Sequence, residues 1–355
     1  MTHIQGDFYI MKKILFSLSL FGFVAVSAFT LPKLIQRELF KTYEIENVDF
    51  NLKWEDLRIE ESDEFENILI EIYCNKKQYA PSIITNGNTL IVQSSATPSS
   101  PFASKKCTVI AKIPSTASFE KFHMSTSSGS IRSQMVITSE NFTSSSTSGS
   151  QSISVEIFAK NAKVNSTSGS IFLETVFGDN LQVSASSGSV NVNGFDGKNI
   201  SIETSSGSIK LKNAKLDKAI VKATSGSITI EGQILNAFDV SASSGSVGME
   251  LDDAPLSNSR VKTTSGSIFV GLPGNADFSL FAQTTSGGFV NALTHEKIGD
   301  HANYTKDINN GGATVILSST SGSITIDSNN GVTAKIKETS IDPDIPVVSF
   351  DDPIF

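Results

Sequence analysis

The residue of this chain that occurs most regularly and could do chemistry is serine, which stands directly before a glycine at ten spaced positions. A serine hydroxyl becomes a nucleophile when a histidine and an acid are positioned beside it. No motif links any of the four histidines to a serine and an acid, and the strained G-x-S-x-G turn of serine hydrolases does not occur. We therefore interpret the repeated serines as structural and expect no catalytic residues. The histidines are His3, His123, His295 and His301.

A second candidate is a group of metal-ligand residue types late in the chain. His295, Glu296, Asp300 and His301 lie within seven residues. Zinc sites of this kind require tight ligand spacing, such as two histidines one helical turn apart. That spacing does not occur here, so we expect a solvated loop, no metal site and no cofactor.

A third candidate is a column of charged residues five positions after successive glycines: Lys212, Glu231 and Glu250. If these glycines stack, the two carboxylates lie about 4.8 Å apart and could bind a cation or act as an acid/base pair. The lysine would partly neutralise its neighbour, and exposed ion pairs contribute little. We interpret the column as an exposed edge. An enzyme acting on carbohydrate on a β-helix remains the alternative.

These residues are positioned by a repeat, whose successive glycines are separated by 20, 20, 19, 19, 19, 19, 21, 21 and 35 residues. Such a period, with alternating apolar residues on both sides of each Ser-Gly block, is typical of stacked repeat folds. The sequence therefore predicts an all-β, single-chain parallel β-solenoid whose turns, here called rungs, are 19–21 residues long. The predicted structural corners are Gly129, Gly149, Gly169, Gly188, Gly207, Gly226, Gly245, Gly266, Gly287 and Gly322.

The rung around Gly207 shows how each turn is built. Residues 200, 202 and 204 alternate with polar residues before the glycine, and residues 209 and 211 do so after it. A period of two places one set inside and the other in water. We expect each glycine to adopt a positive φ at a sharp corner and to lie directly over the one before it. The apolar columns are interrupted only at Ser144 and Gln151, which indicates a bulge or a slipped register in the second rung.

The N-terminus reads as an export signal. Lys12 and Lys13 precede an apolar run over 14–26, which ends in the small residues 26–28. This arrangement is typical of a cleaved signal peptide covering residues 1–28. The alternative is an uncleaved anchor, the only route by which we expect contact with a membrane.

Four further segments complete the predicted organisation. Residues 29–43 are expected to be a linker, and residues 44–121 read as an N-terminal β cap, because solenoids need an atypical end that covers the open core. The repeat solenoid is predicted over 122–336. An acidic, proline-containing tail follows over 337–355.

The only two cysteines are Cys74 and Cys107. They fall in neighbouring strand-like segments of the predicted cap, and an exported chain can oxidise them. We expect a disulfide between them, with two separate buried thiols as the alternative.

The charge balance argues against nucleic acid as a partner. The net charge is −8, and only four arginines occur: Arg37, Arg58, Arg132 and Arg260. A nucleic-acid-binding protein would show a basic patch or stripe.

The segments "VIAKIP" (109–114) and "NGGATVILSSTSGSITI" (310–326), together with the repeated "TSSGSI" blocks, resemble the bacterial putative-adhesin family of DUF4097 type. The resemblance extends over residues 44–330. It implies a β-solenoid associated with the cell envelope and supplies no catalytic residues. Members often carry an acidic residue after the glycine, where this chain has serine.

From these observations we expect an exported, non-enzymatic protein of the periplasm, cell surface or extracellular space. Its partner would be a surface glycan or protein, or another component of the envelope.

Overall fold

The computed structural model describes residues 31–62, 66–95 and 106–329. The predicted signal peptide (1–28), the acidic tail (337–355) and the last residues of the predicted solenoid (330–336) lie outside this part of the chain. In the described ranges no helix is long and apolar enough to cross a bilayer.

The chain folds into a parallel β-solenoid, which confirms the predicted fold class. Each central rung hydrogen-bonds in parallel to the rung on either side; Ile202, for example, lies between Val183 and Val221. The inward residues form apolar columns, and all three of these side chains are at most 1% exposed. The period-two pattern therefore fills the centre of the solenoid with aliphatic side chains.

The N-terminal part is built from eight strands and two short 3-10 helices. The strands are β1 (Lys33–Lys41), β2 (Asn47–Asn51), β3 (Asp56–Glu61), β4 (Asn67–Cys74), β5 (Ser82–Asn86), β6 (Thr89–Gln93), β7 (Cys107–Ile113) and β8 (Ser118–Thr126). The 3-10 helices are Thr42–Glu44 and Lys77–Tyr79.

The repeats supply the central strands, several of which run continuously around two sides of a rung. These are β9 (Ile131–Ser133), β10 (Ile137–Ser146), β11 (Gln151–Ser166), β12 (Ile171–Ala185), β13 (Val190–Thr204), β14 (Ile209–Ala223), β15 (Ile228–Ala242) and β16 (Val247–Leu251). The C-terminal strands are β17 (Ser259–Thr263), β18 (Ile268–Leu272), β19 (Phe278–Ser286), β20 (Phe289–Asn291), β21 (Glu296–Ile298), β22 (Asn303–Ile308), β23 (Thr314–Ser321) and β24 (Ile324–Ser328).

The second rung keeps its register at the two positions where the apolar columns are interrupted. Gln151 lies between Ile131 and Ile171 and is 1% exposed. The side chain of Ser144, also buried, donates to its Oε1 at 2.5 Å. The interruption is therefore a hydrogen-bonded polar pair inside the core, with no slip of register at Gln151 itself. The bulge that we expected as one alternative for this rung lies a few residues later, in β11 after Ile153, where the 20-residue spacing places one extra residue.

At the N-terminal end the rungs do not stack in chain order. β2 and β3 form a rung that lies between the rung of β6 and β7 and the rung of β8 and β9. The outermost rung is covered by antiparallel strands, β5 on β6 and β4 on β7, and β1 then pairs with β4. Part of the segment 29–43, which we expected to be a linker, is thus the outermost strand of the cap.

The C-terminal end repeats this arrangement. β23 and β24, the last rung of the described residues, lie between the rung of β17 and β18 and the rung of β19 and β20. Antiparallel strands β22 and β21 cover the outermost rung. The expectation that each corner lies over the one before it in sequence is therefore wrong at this end, although the corners remain in one column. The 35-residue spacing arises because the chain leaves to build the cover before it returns.

The two cysteines face each other across the cap. Cys74 and Cys107 are register partners in the antiparallel pairing of β4 with β7, and a disulfide joins their sulfur atoms. The bridge ties the covering strand to the outermost rung.

Candidate functional site

The ten corner glycines stack in one column. Each position requires glycine because a side chain would not fit between neighbouring rungs. A Cβ placed on Gly207 would lie 2.0 Å from the carbonyl oxygen of Gly188. Of the ten corners only Gly287 has a positive φ, 147°, so the predicted reason for glycine is wrong at the other nine. The requirement is close approach of backbone to backbone. The column runs through Gly129, Gly149, Gly169, Gly188, Gly207, Gly226, Gly245, Gly266, Gly322 and Gly287.

The serines and threonines on either side of this column form a stripe that we call the serine edge. In the rung of Gly207 it consists of Ser205, Ser206 and Ser208, all exposed. Backbone bonds hold successive levels together; the N–H of Ser206 donates to the carbonyl of Ser186 at 2.9 Å. Ten levels at about 4.8 Å give an edge about 43 Å long. The structure thus presents hydroxyl groups at fixed, repeating positions.

Buried hydroxyls support the corner from inside. The side chain of Thr204 donates to the carbonyl of Gly207 at 2.6 Å, and that of Thr263 does so to Gly266 at the same distance. These side chains fill the small inward position three residues before the glycine, where only small residues occur in the sequence. They fix the shape of the edge without being exposed on it.

A buried glutamate ends the glycine column at the N-terminal side. Gly129 stacks on the carbonyl group of Glu55, whose side chain is fully buried. The carboxylate oxygen Oε2 accepts from the backbone N–H groups of Lys53 and Trp54, both at 3.0 Å, and from the hydroxyl of Ser94 at 2.5 Å. Sequence reasoning missed this residue because its rung carries no Ser-Gly block.

A second ladder runs along the solenoid eight residues before the glycines, and we call it the asparagine ladder. Asn161 donates its amide to Asn141 at 3.1 Å, Asn180 to Asn161 at 2.9 Å, and Asn199 to Asn180 at 3.0 Å. Our sequence reasoning missed it, although the recurrence of asparagine at one position in four consecutive rungs was visible.

A groove of about 550 Å³ lies beside this ladder and extends over five rungs. Its other rim is the column two residues later, which includes Lys163, Gln182 and Ser201. The residues between the two rims, such as Leu181 and Ile200, are buried apolar members of the core. The result is an open groove with polar rims, running along the solenoid axis above these core side chains.

The groove carries positive charge. Lys163 and Lys218 line it and are exposed, and none of the described residues that line it is a carboxylate. Asp239 occupies the same column as Ile220 one rung beyond, but its carboxylate is held by Arg260 at 2.8 Å. This region therefore contrasts with the net negative charge of the chain.

The predicted histidine and carboxylate group is not brought together as a metal site. Within the described ranges no three histidine, cysteine or carboxylate side chains are placed to hold a metal ion. Glu296 accepts hydrogen bonds from Lys306 at 2.8 Å, from Thr294 at 2.6 Å and from the hydroxyl of Tyr304. These bonds, that of Lys306 foremost, lower the pKa of Glu296 to about 2. The carboxylate thus links β21 to β22 in the C-terminal cover.

The predicted column of charges is present in the structure. Lys212 lies 3.2 Å from Glu231, and Glu231 and Glu250 are register partners. Glu231 and Glu250 border a hollow of about 420 Å³ that also includes Asp252 and Lys215. The carboxylates are mixed with lysines here, and Lys212, Glu231 and Glu250 are half-buried rather than fully exposed.

The family of the chain follows from its sequence. The model of the Toastrack DUF4097 family matches residues 45–255 and again 179–327. The chain belongs to this family. The match includes every corner glycine and confirms the resemblance drawn from the repeats. None of the curated proteins matches this chain closely enough to support an inference.

Several solved bacterial structures are similar to it at low identity. A putative adhesin from Parabacteroides distasonis is 12% identical with a TM-score of 0.48, over 66% of this chain and 96% of the other. A putative lipid binding protein from the same organism is 17% identical with a TM-score of 0.46, over 66% and 96%. A putative adhesin from Bacteroides fragilis is 13% identical with a TM-score of 0.35, over 83% and 97%.

Proposed function

We propose that this protein is an exported, non-enzymatic, adhesin-like protein of the cell envelope or surface, and that the serine edge is its contact face. The observation that supports this is the column of exposed hydroxyls held in register by rung-to-rung backbone bonds. Export itself rests on the predicted signal peptide at 1–28.

A rigid, repeating face suits a partner that repeats as well. One hydroxyl contact contributes little net free energy, because it replaces a bond to water. Several contacts made at once by a fixed surface add to the affinity, because each later contact forms within the same complex. The edge would therefore favour an extended glycan or a repetitive protein surface over a small molecule.

The alternative function is a carbohydrate-active enzyme, and the hollow at Glu231 and Glu250 is the place to test it. Glycoside hydrolases use two carboxylates on opposite sides of the scissile bond. Here both side chains come from the same column of one face, and Lys212 is bound to one of them. Release of reducing ends or unsaturated products from a polysaccharide by wild type, and its loss in Glu250→Gln, would favour the enzyme.

The contact face is tested with alanine variants on intact cells. Ser187, Ser206 and Ser225 are replaced together by alanine, and the control carries the same change at Ser152, Ser154 and Ser241, away from the edge. We expect the edge variant to lose binding of purified protein to the producing cells or their extracted glycans, with both variants melting alike. Equal binding by the two variants would contradict the role of the edge.

The location is tested by fractionation and N-terminal sequencing. We expect the protein in the envelope or medium with a chain beginning at Phe29. A chain that retains Lys12 in the membrane fraction would instead indicate the uncleaved anchor, and a cytoplasmic location would overturn export.

A further inference from the structure

We propose that the groove beside the asparagine ladder binds a linear acidic glycan, a polymer of uronic acids, lying along the solenoid axis. This inference deepens the proposed function and rests on it for its biological setting. It concerns a different surface from the serine edge, so the two can fail separately.

The ladder leaves a row of hydrogen-bond donors. A side-chain amide has two N–H donors and one carbonyl oxygen. Asn161 and Asn180 each donate one N–H to one neighbour in the ladder and accept at the carbonyl oxygen from the other. Both side chains are exposed. The second N–H of each is available to a ligand, and the same holds for Asn199 at the end of the row. Hydroxyl and carboxylate oxygens are the acceptors that such a row would bind.

The charges of the groove favour a carboxylate-bearing ligand. Lys163 stands on the rim opposite the ladder, and Lys218 continues the ladder beyond Asn199. None of the described lining residues is a carboxylate, and in the column next to the ladder Glu140 is paired with Lys160 and Asp179 with Lys198. In a chain of net charge −8, this local complementarity gives specificity rather than a general affinity for anions.

The groove offers a sugar ring apolar contact at one end, where the side chain of Ile220 is half-buried. Leu181 and Ile200, 1% and 2% exposed, belong to the core beneath the floor. Ligand sites of this kind combine apolar lining with a few placed polar groups that fix orientation. A pyranose ring offers apolar C–H faces and polar edges, which matches a floor between two polar rims.

The repeat of the groove indicates a polymer. The same donor recurs at each rung, about 4.8 Å from the last. A linear glycan that follows the axis can place an oxygen at several successive levels, whereas a single sugar would use only one or two. Five rungs border the groove, so an oligomer of a few sugars would fill it.

The experiment is calorimetric titration of the mature protein with defined oligogalacturonates. The charge variant is Lys163→Gln with Lys218→Gln, and the control is Lys210→Gln with Lys262→Gln, two exposed lysines outside the groove lining. We expect wild type and control to bind alike and the groove variant to bind about ten-fold more weakly, the effect of two exposed ion pairs. We also expect Asn180→Asp, which puts a negative charge into the row, to lose binding while melting near the wild-type temperature.

Two further ligands test whether the groove requires the carboxylates of a glycan. The same oligogalacturonates with methyl-esterified carboxyl groups should bind at least ten-fold more weakly, and equal binding would overturn the requirement for acid groups. Single-stranded DNA should not compete; equal affinity would reduce the site to an unspecific anion surface and also overturn the proposal.

The outcome is separable from that of the proposed function. If oligogalacturonates do not bind while the serine-edge variants still lose cell binding, only the groove proposal fails. If they bind but the protein is not exported, only the proposed location fails.

Discussion

Replacing Gly207 by alanine should destabilise the solenoid more than any ordinary surface change. The new Cβ would lie 2.0 Å from the carbonyl oxygen of Gly188 and 2.8 Å from the backbone nitrogen of Ser189. Non-bonded heavy atoms settle at about 3.5 Å, so the two rungs must move apart locally by about 1.5 Å. Backbone atoms cannot rotate away as a side chain would, and the strain therefore falls on the rung interface.

The magnitude follows from the hydrogen bonds at that interface. The bonds from Ser206 N–H to the carbonyl of Ser186 and from Val190 N–H to the carbonyl of Ser208 are both 2.9 Å. Opening by about 1.5 Å takes them beyond hydrogen-bonding distance. The loss of two or three such bonds at about 1 kcal/mol each, with overpacking of about 1–3 kcal/mol, gives about 3–6 kcal/mol.

Gly248→Ala is the matched control, because a Cβ there meets no atom within 4 Å. Denaturant unfolding, followed by the circular dichroism of the strands, compares the two variants with wild type. We expect Gly248→Ala to stay within about 0.5 kcal/mol of wild type. Equal midpoints for Gly207→Ala and Gly248→Ala would refute the close-approach argument.

Three other changes test the core, the cap and the C-terminal cover. Replacing Gln151 by leucine should lower the free energy of unfolding by about 1–3 kcal/mol, because the Ser144 hydroxyl loses its acceptor. Adding Ser144→Val should recover part of this loss, as measured in a double-mutant cycle. Additive effects of the two substitutions would contradict the pairing. The Cys74–Cys107 disulfide joins residues that are 33 positions apart, so its reduction should lower the free energy of unfolding by about 3–4 kcal/mol. Denaturant unfolding with and without reductant measures the difference. No change would mean that the bridge is not formed in solution. The pKa of Glu296 is lowered to about 2 from 4.5, so its contribution is present above pH 4.5 and is lost as the pH falls toward 2. Hydrogen-exchange protection factors of the C-terminal cover, which correct for the pH dependence of intrinsic amide exchange, should fall over that window in wild type and not in Glu296→Gln. Identical pH profiles of the two proteins would refute the role of this carboxylate.

The regular middle of the molecule was predictable because each rung obeys local rules. Period-two alternation fixes which side chains face inward, and the constant spacing of glycines fixes the stacking. A residue such as Ile202 could be placed in the core from its position relative to Gly207 alone. The small inward residue before each corner was equally visible, although its hydrogen bond to the glycine carbonyl was not.

What could not be predicted depends on contacts between segments distant in the chain. β23 lies between β17 and β19, and this pairing depends on which strand edges remain unpaired when the C-terminal segment folds. No local sequence pattern indicates that pairing. The reason for glycine at the corners was misjudged for the same cause. A sharp turn suggests positive φ, whereas the actual constraint at Gly207 comes from the carbonyl of Gly188 in another rung.

The candidate groove was missed although its residues repeat. Asn161, Asn180 and Asn199 differ from their neighbours neither in hydrophobicity nor in charge, so the alternation that defines the rungs does not mark them. Their meaning appears only when the rungs are stacked and one amide reaches the next.

The covered ends set how this architecture can vary in length. In the part of the chain that the structure describes, antiparallel strands cover both outermost rungs, so the parallel stacking of rungs stops at these strands. Duplication of an interior rung, by contrast, would add about 4.8 Å to the middle and leave both ends as they are. The number of interior repeats encoded by the gene would therefore set the distance between the two ends of the solenoid.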